Sequence, residues 1–284
     1  MNKYIVSILV IVILLSSCQK EAEMVEVQTE RSVTITNLSY GSNEHQKMDV
    51  FLPANRSRVT TKVLICIHGG WWYGGDKKDI TEYIDRLKNM DSSYAIFNIN
   101  YRPANTPDFF PAQELDVKAA VEFIYNKRFQ YEISDKFVLF GVSAGAHLAL
   151  LQGYKYSTPV KPKAIIDFAG PTDLRDMFNN PANAYTRQFL MRVTGGTPTS
   201  NNTIYTQSSP INFVSSESPP TIIFHGGIDD TISPSQSELL NTKLQTANAN
   251  HQYYFYPANG HRWEGADLAD SFNKLQAFLA TTIN

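Results

Sequence analysis

The amino-acid sequence predicts an α/β domain built on a mostly parallel β-sheet with helices on both faces. Three observations carry this. Short apolar runs of β-formers alternate along the chain with longer helix-forming runs, and such alternation needs crossover connections that make neighbouring strands parallel. A serine, an acid and a histidine each sit just past the end of a predicted strand, in the chain order Ser143, Asp229, His261. No linker interrupts the pattern, and 43% hydrophobic residues in 284 positions suffice for one sizeable core.

The elements follow in order. Val33 to Leu38 and Met48 to Leu52 gather β-formers around Gly41-Ser42-Asn43 and read as an antiparallel opening hairpin. After it come strand Val63 to Ile67, helix Asp79 to Met90, strand Tyr94 to Asn100, helix Gln113 to Arg128, strand Lys136 to Phe140, helix His147 to Lys155 and strand Ala164 to Phe168. In the second helix Val117, Ala120, Val121 and Ile124 keep 3.6-residue spacing and should pack on the sheet. Asp116 reads there as a first-half acid favoured by the helix dipole. From Gly170 to Pro219 the pattern breaks into Pro, Asn, Gly, Ser and Thr clusters, with one plausible helix around Tyr185 to Val193. A loop of that length in a compact domain is usually functional, so residues 171–218 read as a cap. Two further strands, Thr221 to Phe224 and Tyr253 to Tyr256, run into His225-Gly226-Gly227-Ile228-Asp229 and Asn259-Gly260-His261.

The sharpest local signal is Gly141-Val142-Ser143-Ala144-Gly145, a tight turn between a strand and a helix with a serine at its apex. A turn this tight crowds the backbone, and glycines on either side leave the hydroxyl exposed above the sheet. A serine hydroxyl is a poor nucleophile without a base. Of the six histidines, His45 lies in the hairpin and His147 one turn into the helix after Ser143, while His68 and His225 end strands and His251 opens one. Only His261 occupies a loop where a base for Ser143 would sit. The acid is Asp229 or its neighbour Asp230; Asp173 also follows a strand and reads as a turn residue.

His68-Gly69-Gly70-Trp71-Trp72, Asn100-Tyr101-Arg102-Pro103, Gly141 to Leu150, His225 to Pro234 and Asn259-Gly260-His261 together resemble the α/β-hydrolase esterases. Within them the chain is similar to the bacterial feruloyl-esterase-like, kynurenine-formamidase-like and carboxylesterase branch, from about Val33 to the C-terminus. The resemblance implies an α/β-hydrolase fold with an eight-stranded, mostly parallel sheet and a short cap. It implies a serine hydrolase of small or glycan esters, acetyl or feruloyl in type, working through an acyl-enzyme. A formamidase or a catalytically silent binding module are the alternatives. In register with the family motif the triad acid is Asp229, beside Ser143 and His261. Backbone N–H groups of Gly70, Trp71 and Ala144 take the oxyanion-hole positions, with Trp71 where the commonest motif has a third glycine. The aromatic loops suggest Trp71, Trp72, Phe110 and Tyr185 as substrate contacts, with Tyr73, Phe109, Phe189 and Met191 nearby in sequence or on the cap.

No HExxH, CxxC or paired-carboxylate pattern calls for a metal, so no metal and no cofactor are expected. A net charge of −2 without a Lys/Arg-rich run offers no footprint for nucleic acid. Lys3 followed by the apolar Tyr4 to Leu15 reads as a targeting segment. Leu15-Ser16-Ser17-Cys18 then resembles a bacterial lipobox, implying a signal peptide over residues 1–18, lipidation of Cys18 and a membrane-anchored, exported lipoprotein. Residues 19–31 would be a polar tether and residues 32–284 the catalytic domain. The other cysteine, Cys66, falls in a predicted buried strand, so no intramolecular disulfide is expected.

Overall fold

The computed structural model describes residues 29–105 and 107–283; the expected signal segment, Cys18 and most of the expected tether lie outside them. The described strands form one sheet: β1 (Val33–Ser39), β2 (Lys47–Leu52), β3 (Val63–Ile67), β4 (Ala95–Ile99), β5 (Phe137–Val142), β6 (Ala164–Phe168), β7 (Thr221–Gly226) and β8 (His251–Tyr256). They lie side by side in the order β1-β2-β4-β3-β5-β6-β7-β8. The hairpin partners β1 and β2 are antiparallel, as are β2 and β4; the remaining neighbours are parallel. A register shift between Ile35 and Leu38 interrupts the hairpin.

The helices are α1 (Thr81–Met90), α2 (Ala112–Tyr131), α3 (Ala144–Lys155), α4 (Leu174–Asn179), α5 (Thr186–Thr194), α6 (Asn202–Gln207), α7 (Ser235–Thr246) and α8 (Gly265–Thr282). The central strands are buried on both faces, which is why they read as unbroken apolar runs. Their side chains nevertheless divide by parity. Val63, Ile65 and Ile67 join a core with Val121 and Ile124 of α2, Leu148 of α3 and Leu240 of α7. Leu64 and Cys66 face the other way, toward Ile84 and Leu87 of α1 and Leu268, Phe272 and Phe278 of α8.

The strand order reverses at β3, because the chain leaves it for β4 on one side and returns to β5 on the other. Loops that diverge at such a reversal leave a crevice at the C-terminal ends of the strands, where α/β proteins place their sites. The His68-to-Trp72 loop after β3 and the serine turn after β5 flank that crevice.

Three features differ from the sequence reading. The segment between β6 and β7 holds α4, α5 and α6 rather than one helix, since six-residue helices are too short to show a period. α4 is capped by Asp173, whose carboxylate accepts from the backbone N–H groups of Arg175 and Asp176. α7 and α8 complete the two helical layers without having been singled out in the sequence.

The third difference is Asp116. It lies in the first half of α2 as expected, but it is fully buried and held by more than the helix dipole. Its carboxylate accepts from the Arg102 backbone N–H (2.8 Å), from Arg102 Nε (2.9 Å) and Nη2 (2.8 Å), and from Gln46 Nε2 (2.7 Å). Arg102 Nη1 also reaches Asp108 at 2.9 Å. Removing one partner of a buried pair strands the other charge, a loss of about 3–5 kcal/mol. Arg102→Met should therefore lower stability by about 3 kcal/mol in equilibrium urea unfolding. Wild-type stability in that variant would show that Asp116 does not depend on the guanidinium.

Candidate active site

Ser143 stands at the junction of β5 and α3 with φ 57° and ψ −124°, a left-handed backbone that L-residues adopt only when the surroundings force it. The packing of the two flanking glycines shows what forces it. A Cβ on Gly145 would lie 2.1 Å from the carbonyl oxygen of Ile67, and one on Gly141 would lie 2.3 Å from that of Gly145. The helix thus presses directly on the backbone of β3, and the chain has to reverse within the single residue Ser143. Its side chain is left at the edge of solvent, the residue being 8% exposed.

The loop after β3 closes against this turn: a Cβ on Gly69 would sit 3.1 Å from Ser143 Cβ and 3.6 Å from Oγ. Gly70, Trp71 and Trp72 follow with positive φ of 114°, 55° and 61°. Trp71 therefore takes a left-handed backbone where a glycine would be free of strain. Ala144 opens α3, so its N–H is one of the donors that the helix itself leaves unpaired. Of the residues expected to form an oxyanion hole, Ala144 adjoins the serine, and Gly70 and Trp71 follow directly on Gly69, which packs against it.

Asp229 and His261 come from the loops after β7 and β8, which are tied together by the Ile228 N–H donating to the Asn259 carbonyl at 3.0 Å. His261 Nδ1 lies 2.7 Å from Asp229 Oδ2. The other oxygen, Oδ1, accepts from the N–H groups of Thr231 (2.8 Å) and Ile232 (2.9 Å). Burial pushes the Asp229 carboxyl up, but hydrogen bonds from His225, His261 and the Ile232 N–H outweigh it and hold the group well below the usual carboxylate range. Asp230, by contrast, is exposed and faces Thr231 rather than His261. No hydrogen bond joins Ser143 Oγ to His261 among the described residues, and catalytic contacts of this kind commonly tighten only when substrate is bound.

The remaining histidines have other partners. His147 is fully buried; its Nδ1 accepts from Trp72 Nε1 (3.0 Å), so its Nε2 carries the proton and donates to the Ser208 carbonyl (2.6 Å). Burial pushes its pKa down to about 3, which keeps it neutral. His68 stacks on Tyr101, with ring centroids 4.5 Å apart, and donates from Nδ1 to the Gly69 carbonyl. Among the described residues no group of three or more His, Cys, Asp or Glu side chains is arranged to hold a metal ion.

Of the expected substrate contacts, Trp71 lies on the loop that closes against Ser143 and Tyr185 is exposed on α5, while two others are withdrawn into the core. Trp71 stacks on Phe189 of α5 at 4.8 Å, and Phe189 stacks in turn on Tyr73 at 5.5 Å. Tyr185 is exposed at the start of α5. Trp72 is fully buried, its indole N–H spent on His147, and Phe110 is a core residue packed edge-on against the same imidazole. A large aromatic ring gains more from full burial than from lining a wet wall, so both are corrected from substrate contacts to structural residues.

The Asn100 to Pro103 motif has a role that its sequence did not disclose. The Tyr101 hydroxyl donates to the carbonyls of His68 (3.1 Å) and Gly69 (3.3 Å), and Asn100 donates from Nδ2 to Asp76 (2.7 Å). With Arg102 anchored on Asp116, the motif clamps the loop after β3 from behind. The residues are distinctive in the sequence, but their partners are far away along the chain.

A sheet of this strand order with a serine elbow after β5 is the α/β-hydrolase fold. Within that class the chain belongs to the BD-FAE family, whose model matches residues 48–244. It is similar to the esterase LipC of Mycobacterium tuberculosis, 26% identical over 245 residues covering 81% of this chain and 59% of LipC. The esterase LipQ of the same organism is 27% identical over 213 residues, covering 70% of this chain and 49% of LipQ. The chain thus spans only about half the length of these curated relatives. Among solved structures, a truncated form of a carbohydrate esterase from gut microbiota superposes with a TM-score of 0.72 at 24% identity, over 88% of this chain and 98% of that one.

The contrast between the adjacent acids is directly testable. Asp229→Asn should lower kcat for ester hydrolysis by roughly three to four orders of magnitude, as loss of a triad acid does, whereas Asp230→Asn should stay within about tenfold of wild type. Parallel steady-state kinetics of the two variants would decide it, and the reverse ranking would move the role to Asp230.

Proposed function

We propose that the protein is a serine carboxylic ester hydrolase acting on small or carbohydrate-linked esters of acetyl or feruloyl type. The observation that carries the reading is the Asp229–His261 pair, on the loops after β7 and β8 of the sheet whose β5 ends in the strained Ser143. Ser143 Oγ attacks the ester carbonyl while His261 Nε2 takes its proton. Asp229, held ionised, stabilises the resulting imidazolium without accepting the proton. The oxyanion faces the N–H groups of Ala144, Gly70 and Trp71, donors that are fixed before charge develops. Protonated His261 then gives its proton to the leaving alcohol, and water repeats the sequence on the acyl-enzyme. The stack of Trp71, Phe189 and Tyr73 puts aromatic surface beside the loop after β3, suited to an acyl group, aromatic ones included.

A formamidase would use the same three residues, so a substrate panel separates the readings: p-nitrophenyl acetate to decanoate, methyl ferulate, acetylated xylan and N-formylkynurenine. The esters should be turned over and the formamide not. Ser143→Ala should lower kcat by roughly three or more orders of magnitude. A variant retaining a tenth of the activity would sink the assignment.

The reading extends to location on sequence grounds, since residues 1–28 lie outside the described part. Leu15-Ser16-Ser17-Cys18 directs acylation of Cys18, and the polar stretch to Arg31 carries the catalytic domain at a membrane surface. Multiple acyl chains anchor a protein far more firmly than one. Wild type should fractionate with membranes and Cys18→Ser should not be acylated, at unchanged activity per molecule. An unmodified Cys18 in the exported protein, read by intact mass, would remove the lipoprotein claim and leave the ester chemistry standing.

A further inference from the structure

The carboxylate of Asp229 serves two imidazoles. Besides His261 Nδ1 at 2.7 Å, Oδ2 lies 3.2 Å from Nε2 of His225, the last-but-one residue of β7. His225 is fully buried and both of its ring nitrogens are engaged. Nε2 also lies 3.0 Å from the Ile232 carbonyl, and Nδ1 lies 2.6 Å from Ser237 Oγ on α7. These partners fix the tautomer. Neither a carboxylate nor a carbonyl can donate, so Nε2 carries the proton and shares it between them. In the neutral ring Nδ1 is then an acceptor, and the Ser237 hydroxyl is the group that can donate to it.

Ile232 closes the arrangement: its N–H donates to Asp229 Oδ1 at 2.9 Å while its carbonyl accepts from His225. The carboxylate is thus fastened from three directions that do not involve His261: by the N–H groups of Thr231 and Ile232 on Oδ1, and by His225 on Oδ2. What is left of Oδ2 faces His261.

Resting on the ester-hydrolase reading, we propose that His225 is a positioning residue of the active site, holding Asp229 Oδ2 in line with His261 and sharing its negative charge. It touches no substrate and acts only through Asp229. A carboxylate that loses this donor turns more freely and presents more charge to His261, so the imidazolium form of His261 is favoured. The consequence is a lower kcat together with an acid limb of the rate profile moved to higher pH. A residue that merely filled space would lower stability without moving that limb.

Two other ionisable or polar groups face the ring. Ser237 on α7 is its hydroxyl partner, and Asp167 on β6 interacts with it electrostatically. Burial pushes the Asp167 carboxyl up to about 7, against the Gly170 N–H and His225, which act to lower it. Its titration would fall in the same pH range as the limb to be measured, so the test includes Asp167→Asn.

The experiment compares wild type, His225→Leu and His225→Gln on p-nitrophenyl acetate from pH 5 to 9, each also in the Asp167→Asn background. In His225→Leu kcat should fall about 30-fold with KM within about twofold, a loss in the range of an outer partner and well short of that of the acid itself. Its acid limb should lie at higher pH. His225→Gln, whose amide N–H reaches the place of Nε2, should recover most of kcat and the wild-type limb. An unmoved limb in His225→Leu, or no recovery by glutamine, would overturn the proposal, as would a movement abolished by Asp167→Asn. If the leucine variant does not fold, His225→Asn carries the test, because its shorter amide stops short of Asp229 Oδ2 while keeping a polar group in the place of the ring; its limb should move the same way, and an unmoved limb overturns the proposal. Wild type without esterase activity would defeat the ester reading alone. NMR titration of the His261 imidazole in Ser143→Ala, with and without His225→Leu, then decides the role of His225: a curve at higher pH in the double variant supports it and coincident curves refute it.

Discussion

The structure depends on one close approach, that of α3 to β3. Because Gly145 has no side chain, the backbone of the helix meets the carbonyl of Ile67, and Ser143 is left to make the reversal from β5 in a left-handed conformation. Backbone strain of this kind costs on the order of 1–3 kcal/mol. It is offset by the burial of α3, where Leu148, Leu150 and Leu151 are completely enclosed. The strain survives because the core around it admits no alternative, and its effect is to put a hydroxyl and a helix N-terminus at the same point.

The rest of the site is arranged around that point by polar ties that cross the sheet edge. On one side Tyr101 holds the carbonyls of His68 and Gly69, while Arg102, from the same short motif, is anchored on the buried Asp116. On the other, Trp72, His147 and the Ser208 carbonyl form a hydrogen-bonded chain from the loop after β3, through α3, to the segment following α6. Each tie satisfies a buried polar group that would otherwise cost about 1–3 kcal/mol unpaired. The same groups that make the core polar therefore make the loops rigid. Rigid donors stabilise developing charge without reorganising.

How far this was legible from the chain varies with the range of the interaction. The strands from β3 to β6 and the helix preceding β5 appear in the sequence nearly at their final bounds, because apolar runs and helical spacing are local patterns. α4 and α6 were missed, since a cap and two turns leave no period to read. Asp116 was read only in part, for a different cause: an acid in the first half of a helix looks the same whether it answers the dipole alone or also receives an arginine ten or more residues earlier. Trp72 and Phe110 were misplaced as wall residues, since an aromatic side chain on a loop carries no mark of which way it turns.

By itself the sequence determined the α/β class, the serine turn, and the positions of an acid and a histidine after successive late strands, for these rest on local backbone chemistry and on chain order. It could also rank Asp229 above Asp230, though only through likeness to a motif. What the tertiary structure decided is which groups meet. Asp229 rather than Asp230 points at His261, and a second imidazole, His225, shares its oxygen. Phe189 on a distant helix completes a stack with Trp71 and Tyr73. Such pairings are fixed by strand register and helix packing between segments far apart in the chain, and hydrogen bonds only a few ångströms long leave no trace in the local order of residues.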